Sequence, residues 1–494
     1  MATPAPQITE SAEVVVVGGG NAAYCAAHAA ASRGRQVILL ERAPRAEAGG
    51  NSFFTAGAIR MTHDGLDDLL DLIEPDERTA RTEVPPYSVP RFREDMERTT
   101  SGRCVPELSD VLVTESTPAV RWLRSLGMSF RLMYERQAYE RPDGSYLFWG
   151  GLAVGAADGG KGLMSMHTRI ATGLGVDVRY ERCCYALRRH GDEVSGVYWE
   201  APDGTTGLVE AASVVLAAGG FEADGVMRRA HLGDGWQHAK VRGTPLNDGR
   251  MLRAAIEVGA ARAGDWSTAH SVAWDAGAPA TGDRQLTNQL TRQSYPLGIV
   301  VNRLGRRFID EGADFRNYTY AKYGADILRQ PGAIAYQIFD AATRPLLRPE
   351  EYDSSGVSEH VATSIPELAA TCGIDADGLA LTVAEFNAKV RRDVTFDPAV
   401  KDGRSALVSP PKSNWANPIE TPPFHAYPVT CGITFTFGGL HADAGARVLD
   451  ESGAVIPGLY VCGEMLGGLF SGNYPGGSGL AAGLVFGRRA GSAA

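Results

Sequence analysis

The chain has 494 residues, 44% of them hydrophobic and 21% charged, with a formal net charge of −10. This is an ordinary globular composition with room for two or three domains, and it gives no footing for nucleic acid or an anionic membrane. The seven cysteines show no metal-type spacing, which leaves out a zinc ribbon and attached haem; adjacent Cys183 and Cys184 read as packing residues, and the cytoplasm is the default compartment.

Met1 to Ala12 lack the basic patch and apolar run of a secretory signal, and no stretch reads as a transmembrane helix. Glu13 to Val17 is a short β-branched run, the mark of a buried parallel strand. Gly18-Gly19-Gly20 breaks it, and Asn21 to Arg33 follows as a helix of small residues that Gly34 stops. Gln36 to Glu41 is a second apolar strand. A glycine-rich loop runs from Gly49 to Gly57, and Leu66 to about Leu126 reads as mostly helical. Arg179 to Glu200 alternates around the turn His190-Gly191-Asp192, which predicts a hairpin. Ser213 to Ala217 is another buried strand. From Trp266 to Trp415 proline and polar residues rise, and Asp393 to Asn417 reads as a long connection. Gly458 to Ala494 returns to strand, glycine turn and small-residue helix. The order is a βαβ unit, a different inserted segment, and a nucleotide-fold ending.

Three motifs carry chemistry. In Gly18-Gly19-Gly20-Asn21-Ala22-Ala23, Gly18 allows a tight turn, Gly20 lets a pyrophosphate approach the backbone, and Ala23 permits close helix–strand packing. The helix N-terminus then offers free N–H groups to phosphate. Glu41, about 20 residues on, suits a ribose diol. The second motif, Gly49-Gly50-Asn51-Ser52, separates two dinucleotides: NAD needs no second glycine loop here, whereas an extended FAD does. The third is Gly458 to Glu464, a strand ending in Gly463-Glu464, followed by Asn473-Tyr474-Pro475-Gly476-Gly477-Ser478-Gly479-Leu480 and a helix. There Glu464 is placed to accept from a ribityl hydroxyl, and N–H groups near Gly479 and Leu480 to stabilise negative charge on a reduced flavin. Gly155 to Gly162 approaches a P-loop pattern but lacks the final Ser or Thr that would hold magnesium, so ATP is not expected.

With Val214 to Phe221 between them, these motifs resemble the flavoprotein family of succinate dehydrogenase and soluble fumarate reductase. Asp310 to Tyr320, Gly49 to Ala58 and Asn473 to Gly479 are most similar to its tricarballylate dehydrogenase-like branch. The resemblance implies an α/β fold: a Rossmann-like FAD-binding domain split in sequence, residues 1–265 and 421–494, with an inserted α+β capping domain at 266–420. It implies a cofactor-binding set that adds Asn21, Ala22, Arg42, Gly57, Ala58, Ala218, Gly219 and Ser478 to Gly18, Gly20, Glu41, Gly49, Gly50, Asn51, Ser52, Gly463, Glu464, Gly479 and Leu480. No metal is expected.

By the same resemblance, hydride passes between a substrate carbon and the flavin, Arg316 moves the proton on the neighbouring carbon, and His270 binds a substrate carboxylate. Two departures stand out. Phe435 and Tyr474 occupy positions where fumarate reductases hold a second carboxylate with histidine and arginine, and Thr291 stands where their relay has a glutamate. The loop Tyr474-Pro475-Gly476-Gly477-Ser478 is instead similar to that of 3-ketosteroid dehydrogenases, where a tyrosine hydroxyl polarises a ketone. Arg316 is a natural acid and an awkward base, with Asp310, Glu311 and Asp314 expected nearby; Tyr474 or Tyr318 is the alternative base. The expected activity is α,β-dehydrogenation of a small carboxylate or ketone with an external electron acceptor. The alternatives are the reverse reduction of an enoate and a flavoprotein subunit passing electrons to a partner.

Overall fold

The computed structural model describes residues 6–494; the first part of the segment read for a secretory signal, residues 1–5, lies outside them. Strand β1 (Ile8–Val17) leads through Gly18–Gly20 into helix α1 (Asn21–Ala31) and back to β2 (Val37–Leu40). Val14 to Val17 and Val37 to Leu40 are all buried, as a run of β-branched and leucine residues covered on both faces requires. Helix α2 (Gly159–Gly173) precedes β3 (Asp177–Arg179), and β4 (Thr206–Leu216) follows the hairpin Cys183–His190/Glu193–Glu200. The predicted Ser213–Ala217 strand is the last part of β4.

The second sheet is built on β5 (Arg262–Asp275), with helix α3 (Tyr320–Leu328) against it, and on β6 (Phe424–Leu440). The chain then returns to the first sheet with β7 (Val455–Val461) and ends in helix α4 (Ser478–Ala493). In that first sheet β7, β4, β1, β2 and β3 lie side by side and parallel. In the second, β6 pairs with Lys240–Val241, β5, Ala335–Phe339 and His360–Ala362. This sheet therefore begins before the expected 266 and ends after 420, because β6 extends the inserted segment through Leu440.

Of the region read as helical, only Val89–Thr100 and Pro106–Ser125 form α-helices, and residues 66–88 are short turns and a two-residue strand. Proline pairs such as Pro85-Pro86 deny that stretch the N–H groups a helix needs. Among the described residues no helix is long and apolar enough to cross a membrane.

One packing device positions the site. On α4, Gly483, Gly487 and Gly491 recur at helical spacing and face α1. A Cβ on Gly487 would stand 2.6 Å from the Ala22 carbonyl oxygen, and one on Gly491 would collide with that of Ala26. The glycines let the two helices approach backbone to backbone, bringing both N-termini to one cleft.

Candidate functional site

That cleft holds about 1970 Å³ of empty space, the open solvent at its mouth included, and runs from Gly18–Gly20 at one end to His270, Arg316 and Tyr474 at the other. At one end it is walled by backbone. Gly18 has φ +114°, and a Cβ there would collide with the Ala217 carbonyl, so the turn demands glycine. A Cβ on Gly20 would meet only the Ser52 hydroxyl at 3.5 Å, leaving the backbone open to the cleft. Helices α1 and α4 start at Gly20 and Gly477, neither with an acid in its first turn, so both positive ends are free for an anion.

Asn21 ties them together: its Nδ2 donates to the Leu480 carbonyl (3.0 Å), and its backbone N–H to Ser52 Oγ (3.0 Å). Its Oδ1 faces His167 Nε2 (3.0 Å). Glu41 is 7% exposed, accepts from the Ala43 N–H (2.7 Å), and is held above the usual carboxylate range by burial. A hydroxyl pair is a partner such a group lacks in the protein. Glycine backbone, paired helix ends and one buried carboxylate fit the pyrophosphate and ribose of FAD.

Gly49, Gly57, Gly219 and Gly463 all have positive φ. Ala22, Gly50, Ser52, Ala58, Ala218, Gly219, Gly463, Gly479 and Leu480 line the cleft, whereas Gly49, Gly57 and Ser478 do not. Gly57 is needed where the loop passes α2, since a Cβ would stand 2.9 Å from Gly159; Ser478 is buried. Arg42 borders the cleft but spends a guanidinium nitrogen on Asp248 Oδ2 (2.8 Å) and the Leu246 carbonyl (2.9 Å). Asn51 is committed within the protein, donating to Glu222 Oε1 and the Thr434 carbonyl (both 2.6 Å) and accepting from the Thr244 N–H (2.8 Å).

Glu222, which sequence reasoning missed, also accepts from Asn247 (2.6 Å). Glu464 accepts from the N–H and hydroxyl of Thr436 (2.7 and 3.1 Å). Burial raises both carboxyls, and the charge of Glu464 raises Glu222 further.

The other end is walled by side chains. His270 on β5 packs edge-on against Tyr320 (5.0 Å between centroids) and Phe435 (5.1 Å) and is tilted against Tyr474 (4.9 Å). Neither of its ring nitrogens has a protein partner. Burial and the charge of Arg242 lower its pKa well below the ordinary value, so the ring is neutral. The Tyr474 and Tyr320 hydroxyls are hydrogen-bonded to each other, and burial together with Tyr320 raises Tyr474 well above the ordinary phenol.

Arg316 lines the cleft. Its Nη1 donates to Gln293 Oε1 (2.7 Å), its Nη2 to the Arg136 carbonyl, and its Nε has no partner. The carboxylates expected around it are elsewhere: Glu311 pairs with Arg307, Asp314 with Arg98, and Asp310 with Ser413. Burial, then Arg348 and Arg136, lower its pKa well below the guanidinium norm. Glu351 and Tyr139 oppose that shift.

Tyr318 departs from the expectation. Its hydroxyl donates to Asp95 Oδ2 (2.6 Å) and the Gly150 carbonyl (2.7 Å), and it borders a separate cavity with His63, Tyr87 and Trp149. The short turn Arg316–Tyr318 puts Arg316 and Asn317 on the main cleft and Tyr318 on the other side; Tyr320 reaches the cleft instead. Tyr320, Arg242 and Arg136 line it without having been expected. The first was quoted in a motif and passed over; the others stand in no motif. The P-loop-like lysine, Lys161, donates to the Gln285 carbonyl (2.9 Å).

Comparison with known proteins places this geometry. The family described as FAD binding domain matches residues 13–480. A probable fumarate reductase of Shewanella frigidimarina (strain NCIMB 400) is 28% identical over 98% of this chain and 74% of its own. The 4-oxocyclohexanecarboxylate 2-dehydrogenase of Sinomonas cyclohexanicum is 29% identical over 94% and 89%. Among solved structures, the open conformation of a flavocytochrome c3 fumarate reductase superposes with a TM-score of 0.73 at 26% identity, over 99% of this chain and 78% of that one.

Proposed function

The chain belongs to the FAD binding domain family, with FAD as its cofactor, and we propose that it introduces a carbon–carbon double bond next to a carboxylate or carbonyl group. It is an FAD-dependent oxidoreductase acting on CH–CH groups, as are its fumarate reductase and 4-oxocyclohexanecarboxylate dehydrogenase relatives. The observation that carries the finer reading is the convergence of Arg316, the Tyr474–Tyr320 hydroxyl pair and His270 at one end of the cleft whose other end fits FAD.

Bound there, FAD supplies the acceptor for the hydride leaving one substrate carbon. The protein does the rest. One hydroxyl of the Tyr474–Tyr320 pair donates to the other, and accepting that bond makes the second O–H a stronger donor. Aimed at a carbonyl oxygen, it stabilises enolate charge and acidifies the adjacent C–H. Arg316 moves the proton at that carbon, helped by the burial and cationic neighbours that weaken its hold. Neutral His270 orients the substrate oxygen. Aromatic packing of Phe435, Phe437 and Phe470 around Tyr474 excludes water.

The reverse reduction of an enoate is the second reading. It is favoured by the same property of Arg316, a buried acid ready to give its proton.

The proposal includes a small-molecule substrate, an external electron acceptor or donor, kinship with the tricarballylate dehydrogenase-like branch, and an inserted cap over the cleft. It also includes the cytoplasm as compartment, which the free cysteines fit. Anaerobic addition of saturated acids and ketones, followed by flavin absorbance near about 450 nm, tests it. Bleaching by one compound names substrate class and oxidative direction together. Reoxidation of dithionite-reduced flavin by an unsaturated counterpart makes the protein a reductase, and silence in both directions sinks the proposal.

A further inference from the structure

Holding the substrate at Arg316 and Tyr474 leaves another cation in the same cleft without a role. Arg242 follows the short strand Lys240–Val241 and is 7% exposed. Its guanidinium meets only neutral groups: Nη1 donates to Thr434 Oγ1 (3.1 Å), Nη2 to Asn288 Oδ1, and Nε has no partner. The Asn288 amide nitrogen and both nitrogens of His270 are likewise buried without partners, and all three residues line the cleft. Nearby carboxylates are engaged elsewhere. Asp275 holds Arg292 and Ser358, and Glu351 holds Arg136 and the Gln293 N–H. In and behind this wall Arg136 pairs with Glu350 and Glu351, and Arg348 with Glu351, while among the described residues Arg242 and Arg316 pair with no carboxylate. A buried guanidinium with neutral partners is costly unless an anion joins it, and buried donors without acceptors add to that cost.

We propose that Arg242, with Asn288 and His270, forms a second anion subsite, so that the substrate carries two separate carboxylates, one against the Tyr474–Tyr320 hydroxyl pair and one at Arg242. This rests on the reading of the cleft as a CH–CH oxidoreductase site and narrows its substrate class. The hydrocarbon part of the diacid then lies against the Phe435, Phe437 and Phe470 wall of the same cleft.

The test titrates the FAD-loaded protein with saturated α,ω-diacids, malonate to pimelate, and with their monomethyl esters, reading the perturbation of the flavin spectrum. We expect one diacid to bind about tenfold or more tightly than its monoester, as one charge-assisted contact allows. Arg242→Gln should remove that preference while changing monoester binding by less than about threefold, and Arg242→Lys should restore part of it. FAD content is measured in each variant; should Arg242→Gln lose flavin, Asn288→Ala must show the same loss of preference. An unchanged preference in Arg242→Gln overturns the subsite, and so does a wild type that binds no diacid better than its monoester. Bleaching by a ketone in that second case leaves the oxidoreductase reading standing while the inference falls.

Discussion

The two ends of the cleft recognise their ligands by different means. The end that fits the cofactor uses mainly backbone: Gly18, Gly20 and two helix N-termini, with the buried Glu41 carboxylate beside them. The proposed substrate end is walled by side chains: arginines, tyrosines and a histidine from segments far apart in the chain. Backbone recognition tolerates almost no change at a few glycines and is indifferent to much around them. Side-chain recognition tolerates each substitution structurally and loses chemistry instead. The first fixes what kind of protein this is, and the second what it acts on.

The largest effect that tests this contrast is expected at Gly18. At φ +114° and against the Ala217 carbonyl, Gly18→Val should lower the flavin-to-protein ratio about tenfold or more and lower the melting temperature as well. Gly20→Ala, whose Cβ would meet only Ser52, should weaken flavin binding with the fold intact. Equal loss of folding in both would break the distinction between turn and cradle.

Next, Arg316→Gln should keep its flavin and lose about 10²–10⁴ in turnover, the range for a general acid or base. Full turnover with a normal flavin spectrum would remove Arg316 from the chemistry. Tyr474→Phe should cost about 10²–10³ in kcat, as losing one oxyanion donor does. Tyr318→Phe should leave kcat within about threefold and cost roughly 1–3 kcal/mol of stability for the lost hydrogen bond to the Asp95 carboxylate, whose Oδ2 keeps the Tyr87 hydroxyl. A reversal of those two results would return the role to Tyr318.

The smallest effect belongs to the carboxyl pair. Glu222 titrates above its unfolded value of 4.5. Its contribution to stability is therefore full below that value and is lost as pH rises through the folded one. Glu222→Gln cannot lose a proton, so its melting temperature should fall less than the wild type's as pH rises. Parallel curves would show that the pair is not protonated.

The cofactor end was legible because its constraints are local. A tight turn, a close backbone approach and a helix start within a few residues leave glycines at fixed spacing, and Glu41 follows at the end of the next strand. The substrate end was half legible. Arg316, His270 and Tyr474 were reached by resemblance, but Arg242 stands in no motif and enters the cleft only through the pairing of Lys240–Val241 with β6. Tyr318 and Tyr320 are two positions apart across the change from a tight turn to α3, and no periodicity assigns one to the cleft and the other to the second cavity. The expected cap limits, 266 and 420, fall within the span of the second sheet for the same reason: β6 joins that sheet by pairing that local composition does not record.

The glycine face that joins α1 to α4 also sets an order in time. The first βαβ unit leaves the ribosome more than 400 residues ahead of the second helix aimed at the cofactor, which spans Ser478–Ala493. At roughly 5–20 residues per second, tens of seconds pass during synthesis in which the glycine turn exists without its partner helix. The flavin site is therefore complete only once both helices have been made, and a chain interrupted before Gly483 carries the dinucleotide motif without the helix that packs on α1 beside it.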